Sequence, residues 1–399
     1  MNKLYARTYQ AIYRGVSKVL PWRTPLLVAG EGSVIESVSE LKQRHITKFL
    51  LVTDVTMTDR GLYHSFIEAA VKERIKAVIY DQTIPNPTIT NIEQAFELYR
   101  SQQCQAIVAF GGGSVIDCAK GVAARVAQPN KLIPDMKGQL KVRKPTPFLM
   151  AIPTTAGTGS EGTVAAVISN PEAQEKYAVN DTVLIPDVAV LDPLLTVGLP
   201  APLTATTGMD ALTHAVEAFI GGSNTAETEA YSKEAVALIF QWLQVAYEDG
   251  KDLEARKAMQ KASYLAGLAF TRAYVGNVHA IAHTLGGYYN VPHGLANAVL
   301  LPKLLRFYGN TAAPRLAELA EAAGLLIEGK TIAERTEAFI EAIEKMNEDM
   351  QIPEQIDGIN EKDIKEMAKK AYKEANPLYP VPVIMSKKQF EQLYHEVMR

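Results

Sequence analysis

The chain predicts two domains of different class: an α/β domain built on a parallel sheet, then an all-α domain. Three observations predict it. Through the first half of the 399 residues, short apolar runs alternate with amphipathic segments, the pattern of strands and crossover helices. From about Leu203 the apolar runs stop and long segments of helical spacing take over. Between the two patterns, Leu191-Asp-Pro-Leu-Leu-Thr-Val-Gly-Leu-Pro-Ala-Pro gathers turn-forming residues. We place the boundary at residue 195. Residues 1–195 form the α/β domain, with an N-terminal arm over 1–24, and 196–399 form the helical domain.

In the first domain, Leu26–Ala29, Phe49–Thr53, Ala77–Tyr80, Ala106–Phe110 and Phe148–Ile152 read as short buried strands. Helical spacing occupies Val34–Arg44, Leu62–Arg74, Ile89–Ser101 and Val115–Ala127. A parallel sheet of this kind binds ligands at the carboxyl ends of its strands. In the second domain, helices are expected over Met209–Ile220, Glu227–Tyr247, Leu253–Ala273, Asn277–Tyr288, Leu295–Tyr308, Ala312–Ala323, Ile332–Met346 and Lys362–Ala375.

Composition narrows the partners. A net charge of −3 gives no electrostatic footprint for nucleic acid. No apolar run approaches the ~18 residues that span a bilayer. The two cysteines, Cys104 and Cys118, suggest no disulfide framework and fit a reducing, cytoplasmic compartment. The arm is basic: Lys3, Arg7, Arg14, Lys18 and Arg23 precede the first acid, Glu31, with Tyr5, Tyr9, Tyr13 and Trp22 among them. We read it as a short amphipathic arm packed on the body or on a partner subunit, in preference to a targeting or membrane-surface segment.

Two polar loops follow strands. After Ala106–Phe110 come Gly111, Gly112 and Gly113, which admit a ligand close to the backbone, and then a helix whose unpaired N–H groups favour a phosphate. Ser114 is a candidate helix N-cap or phosphate donor, and Asp117 a capping-box acid. After Phe148–Ile152 comes Pro-Thr-Thr-Ala-Gly-Thr-Gly-Ser-Glu, with Thr154, Thr155, Thr158 and Ser160 beside two glycines. Asp54 ends the strand before the glycines, where a carboxylate can bind ribose hydroxyls and repel a 2′-phosphate.

Of the seven histidines, four (His214, His279, His283 and His293) fall between Gly208 and Gly294. Asp210 and His214 are four apart, so one helix face carries both. His279 and His283 share that spacing, and His293 must arrive from a following turn. A carboxylate with imidazoles suits zinc or ferrous iron, not magnesium or calcium. His45, His64 and His395 read as ordinary core or surface groups.

In order along the chain stand Gly-Gly-Gly-Ser-x-x-Asp-x-Ala-Lys at 111–120, Pro-Thr-Thr-Ala-Gly-Thr-Gly-Ser-Glu at 153–161, Thr-Gly-Met-Asp-Ala-Leu-Thr-His-Ala-x-Glu at 207–217 and His-x3-His-x8-Pro-His-Gly at 279–294. With these motifs the sequence resembles the iron-activated (group III) alcohol dehydrogenases over nearly its whole length, the arm matching less well. The resemblance implies the fold those enzymes share with dehydroquinate-synthase-like proteins: a dinucleotide-binding domain, an all-helical metal domain and an active site in the cleft between them. It implies Asp210, His214, His279 and His293 as ligands to Fe(II) or Zn(II), and His283 as a catalytic proton-relay group. It implies NAD as cofactor, with Gly112, Gly113 and Ser114 at the pyrophosphate and Asp54 at the adenine ribose. Thr154, Thr155 and Thr158 then line the adenine and nicotinamide path, and Asn86 and Lys176 sit at the ribose-phosphate and nicotinamide ribose. Asp117, in the glycine-loop motif, is counted with these cofactor residues. Because family members with glycine in place of Asp54 tend to use NADP, Asp54 favours NAD.

The activity so implied is hydride transfer between NAD(H) and a small primary alcohol or aldehyde, in a homodimer or larger homo-oligomer. Phe270 and Val275 are candidate walls of an apolar pocket, and the 376–382 segment a candidate cover for the cleft. Leu378 stands where relatives often carry arginine, which argues against a charged substrate. The competing readings are polyol oxidation of the glycerol dehydrogenase type, a dehydroquinate-synthase-like lyase, and a binding protein without turnover.

Overall fold

A computed structural model describes residues 3–17, 19–172, 175–326 and 328–399. The chain separates into two compact units, Pro21–Gly198 and Leu199–Arg399, the latter joined by the N-terminal segment up to Leu20. Among the described residues no helix is long and apolar enough to cross a membrane.

The first element, helix α1 (Lys3–Ser17), lies in the helical unit, not with the sheet as the sequence reading had it. Its polar face finds partners there: Arg7 donates to the carbonyls of Val381 and Pro382, and Gln10 to those of Pro377 and Tyr379.

The sheet unit runs β1 (Leu26–Ala29), α2 (Ser33–Glu36), α3 (Val38–Gln43), β2 (Lys48–Val52), α4 (Val55–Asp59), α5 (His64–Lys72), β3 (Lys76–Tyr80), α6 (Ile89–Ser101), β4 (Ala106–Gly111) and α7 (Gly113–Ala127). It continues with β5 (Gly138–Gln139), β6 (Phe148–Pro153), β7 (Ala165–Asn170), β8 (Glu175–Asn180) and β9 (Val188–Leu191). Six strands form one parallel sheet in the order β1-β9-β6-β4-β2-β3. All six residues of β4 are buried, as expected of a strand covered on both faces. The strand order reverses between β2 and β4, which makes their carboxyl ends the expected ligand crevice. β7 and β8 form an antiparallel hairpin, with β5 alongside β8.

Two features of this unit escaped the sequence reading. β9 lies inside the sheet, between β1 and β6. It is four residues long and pressed between Pro186-Asp187 and Asp192-Pro193, so its apolar run merges with the turn signals that mark the domain break. The β7–β8 hairpin is buried at alternate positions, but its residues do not alternate apolar with polar, so no period-2 pattern stood out.

The helical unit continues with α8 (Ala201–Ile220), α9 (Ala226–Glu248), α10 (Leu253–Ala273), α11 (Asn277–Tyr289), α12 (His293–Tyr308), α13 (Ala313–Ala322), α14 (Ile332–Asp349), α15 (Glu361–Ala375) and α16 (Lys387–Val397). α8 is the central helix. Fifteen of its twenty residues are buried, so it is apolar nearly all round and its few polar side chains need partners inside the protein.

Candidate metal centre and glycine loops

Three of those polar side chains of α8, Asp210, His214 and Glu217, lie on one face at i, i+4 and i+7. α11 runs past them and presents His279. It ends on Asn290 in the left-handed conformation, and three residues later α12 begins at His293, behind Pro292. Gly294 permits the close approach: a Cβ there would lie 2.3 Å from the Thr206 carbonyl oxygen of α8. As a result one ligand atom each from Asp210, His214, His279 and His293 lies within 4.8 Å of all the others. The sequence expected these four together, and the fold brings them together.

Neighbouring groups fix their orientation. Glu217 is buried and takes the Nδ1 of His279 at 2.6 Å, as well as the backbone N–H groups of Gly276 and Val278, each at 2.8 Å. With Nδ1–H committed to the carboxylate, Nε2 of His279 carries the lone pair. Burial holds the His279 pKa well below its ordinary value, which keeps the ring neutral. Burial also pushes the Glu217 carboxyl up to about 7, against the pull of its N–H donors. Phe270 stacks on His214 with ring centroids 4.2 Å apart, so it sets that imidazole's plane.

Asn297, fully buried one turn into α12, marks the centre of the group. Its Nδ2 lies 2.6 Å from Asp210 Oδ1 and 3.2 Å from Nε2 of both His279 and His293. One amide donor within reach of three acceptors means that their lone pairs converge on a common point. Three imidazoles and one carboxylate converging, all but His293 buried, fit a divalent iron or zinc ion.

His283 stands apart from this convergence. It stacks on His293 with ring centroids 5.2 Å apart, and its Nδ1 pairs at 2.6 Å with Glu374 of α15. Tyr379 donates its hydroxyl to the same Glu374 oxygen at 2.8 Å. Spacing could not tell His279 from His283; position does, since His279 belongs to the converging group of four and His283 does not.

In the sheet unit the expected cofactor residues gather at the carboxyl ends of β2, β4 and β6. Asp54 follows β2 and caps α4, its Oδ1 accepting from Met57 N at 3.0 Å. Thr53 ties this end to β4 through the Phe110 carbonyl at 2.7 Å. The glycine loop packs against the threonine loop: a Cβ on Gly113 would lie 2.5 Å from Thr158 Cγ2, and one on Gly112 would lie 3.5 Å from Thr155. Thr154 donates its backbone N–H to the Gly111 carbonyl at 3.1 Å. Ser114 Oγ accepts from Asn86 N at 3.2 Å, and Lys176 donates to Asn86 Oδ1 at 2.8 Å.

Two expectations in this region are corrected. The N-cap of α7 is Gly112, with no side-chain bond, so Ser114 lies inside the first turn and forms no capping box with Asp117. Asp117, expected with the cofactor residues, is committed within the fold, accepting from Ser160 Oγ at 2.7 Å and Val167 N at 3.1 Å. Beside it the buried Lys120 ammonium donates to Ser160, Thr163 and Ala165. Burial lowers the Lys120 pKa to about 8 and raises that of the neighbouring Glu161 to about 7. These side chains cross-brace the two loops from behind.

The sequence reading did not single out Glu217, Asn297, Glu374 or Tyr379. Glu217 had a signal, i+7 from Asp210 in an otherwise apolar helix. The other three come from elements with no local pattern that points to the cluster.

Comparison with known proteins gives consistent matches. Residues 25–193 match the model described as iron-containing alcohol dehydrogenase, and residues 204–398 match that of the Fe-containing alcohol dehydrogenase family, C-terminal. The chain is 37% identical over 352 residues to the NAD-dependent methanol dehydrogenase of Bacillus methanolicus, covering 88% of this chain and 92% of that one. It is 39% identical over 333 residues to the 1,3-propanediol dehydrogenase of Citrobacter freundii, covering 82% and 86%. A crystal structure of 1,3-propanediol oxidoreductase superposes with a TM-score of 0.91 at 35% identity, covering 95% of this chain and all (100%) of that one.

Proposed function

The chain belongs to the iron-containing alcohol dehydrogenase family, and we infer from this membership that it interconverts small primary alcohols and aldehydes by exchanging hydride with NAD(H). The observation that carries the reading is the convergence of Asp210, His214, His279 and His293, the first three of them buried. We assign these four as the ligands of an Fe(II) or Zn(II) ion. One carboxylate against three neutral imidazoles leaves a net positive centre, which a second carboxylate ligand would weaken. An ion held by these four would supply Lewis-acid stabilisation, and NAD bound at the glycine loop would supply the hydride acceptor.

The remaining roles belong to the chain's own groups. Glu217 holds His279 with Nε2 toward the ion. His283 receives the alcohol proton, directly or through water: its Nδ1 faces Glu374, so Nε2 is the nitrogen able to accept. Gly112, Gly113 and Ser114 hold the pyrophosphate at the N-terminus of α7, where backbone N–H groups and the helix dipole favour anions. Asp54 holds the adenine ribose and disfavours a 2′-phosphate. Thr154, Thr155, Thr158, Asn86 and Lys176 line the rest of the dinucleotide path.

The named relatives act on methanol and 1,3-propanediol, so short-chain alcohols and terminal diols are the proposed substrates. Two buried free cysteines fit the proposed cytoplasmic location, and we propose a homo-oligomer by likeness to the family. The test is to strip the protein with a chelator, reload it separately with Fe(II) and Zn(II), and follow NADH formation with a panel of short alcohols and diols. Turnover is expected to vanish on stripping and return on loading. Loaded protein that oxidises no alcohol and reduces no aldehyde would overturn the reading.

A further inference from the structure

The family models begin at residue 25, so helix α1 lies outside them, and its contacts lead to the proposed proton acceptor. The segment that follows α15, residues 376–383, contains Pro377, Pro380 and Pro382. Proline has no N–H, so such a stretch cannot enter a ladder, yet each buried carbonyl still needs a donor. α1 supplies most of them. Gln10 Nε2 donates to the carbonyls of Pro377 at 3.1 Å and Tyr379 at 2.6 Å. Arg7 donates through its two terminal nitrogens to Val381 and Pro382, each at 2.8 Å, and also to Gln10 Oε1 at 2.9 Å. The Pro380 carbonyl takes Gly222 N at 2.7 Å, and α1 grips that loop as well, Arg14 donating to the Gly222 carbonyl at 3.1 Å.

The gripped segment carries Tyr379. Its side chain is buried, and its hydroxyl donates to the Glu374 oxygen that receives His283 Nδ1. A second route leads to the same helix. Tyr13 packs edge-on against Tyr274, centroids 5.5 Å apart, three residues before α11 begins and carries His279 and His283.

We infer that α1 is a positioning element for His283: through Gln10 and Arg7 it fixes the 376–383 segment, and through Tyr379 that segment fixes the Glu374 carboxylate that orients the ring. This rests on the reading of His283 as proton acceptor. These contacts of α1 reach the 376–383 segment, the Gly222 loop and Tyr274 and not the proposed metal ligands themselves, so the expected effect falls on turnover and not on metal binding.

The experiment is a double-mutant cycle on the metal-loaded, full-length protein. Gln10→Leu removes the donor to two carbonyls, and Tyr379→Phe removes only the hydroxyl, a variant that keeps the fold if Gln10→Leu does not. Each is made alone and with His283→Ala, and kcat, KM, bound metal and Tm are measured. Each single variant is expected to lower kcat roughly 3- to 10-fold, with bound metal and both KM values little changed. In the His283→Ala background the same change is expected to cost less than about twofold, because groups that act as a unit are non-additive. Equal losses in both backgrounds would mean a purely structural helix and overturn the inference. So would unchanged kcat in Gln10→Leu and Tyr379→Phe while His283→Ala is impaired, a result that leaves the His283 reading standing. If His283→Ala itself turns over normally, the reading of His283 falls and the inference falls with it.

Discussion

The helical unit and the sheet unit assemble their ligand groups by opposite means. Around α8 the chemistry is carried by side chains. Four donors converge, and Glu217, Phe270 and Asn297 behind them set ring tautomer, ring plane and spacing. At the ends of β2, β4 and β6 the candidate surface is largely backbone, and the strongest side chains of the region, Asp117 and Lys120, are turned inward to brace loops. The difference teaches where each site is vulnerable. The cluster is sensitive to a change of charge or tautomer at constant volume. The loops are sensitive to a change of volume at constant charge.

Glu217→Gln should give the largest effect, because it changes charge while keeping shape. The amide offers one acceptor oxygen where Gly276 N, Val278 N and His279 Nδ1 all need one, and it removes the partner that fixes the His279 tautomer. Loss of such a supporting carboxylate weakens metal binding by roughly 10- to 100-fold. Competition against a chromophoric chelator measures it, and KM for NAD should not move. Metal affinity equal to that of the unaltered protein would break the contrast, since the side chain would then be mere packing.

The converse change is Gly113→Ala, a methyl group with no charge. That Cβ would lie 2.5 Å from Thr158 Cγ2, too close for any real contact, so the two loops must separate. KM for NAD is expected to rise roughly tenfold, equivalent to about 1.4 kcal/mol of cofactor binding, while metal affinity stays constant. A variant that loses metal but keeps its KM would invert the comparison.

The same contrast explains what could be read from the sequence. Helices α6 and α10 run over the segments expected because each begins at a side-chain cap, Thr88 and Asp252, which is itself a local signal. Asp210 with His214 was legible because helical period alone puts both on one face. The positions of His279 and His283 were not separable by spacing, since only the packing of α11 against α8 and α12 puts His279 in the converging group and leaves His283 outside it. Gly112 took the cap position for which Ser114 was one candidate, and Asp117 and Lys120 of that motif proved to face inward. Local period reports which face a side chain occupies. It does not report which distant carboxylate will meet it there.

The smallest expected effect tests the carboxylate placed at the cofactor surface. Asp54 has two functions that a single deletion would confound: its Oδ1 caps α4 through Met57 N, and its charge is proposed to exclude a 2′-phosphate. Asp54→Asn separates them, because asparagine is as good a cap but carries no charge. The ratio of kcat/KM for NAD over NADP should fall several-fold, on the order of 1 kcal/mol of discrimination, with Tm unchanged. Asp54→Gly should shift the ratio at least as far and also lose a few tenths of a kcal/mol of stability with the cap. If Asp54→Asn keeps the full preference for NAD while only Asp54→Gly relaxes it, then discrimination comes from the side chain's bulk or from the α4 cap. The sheet unit would then tell NAD from NADP by shape, which sharpens its contrast with the charge-built cluster of the helical unit.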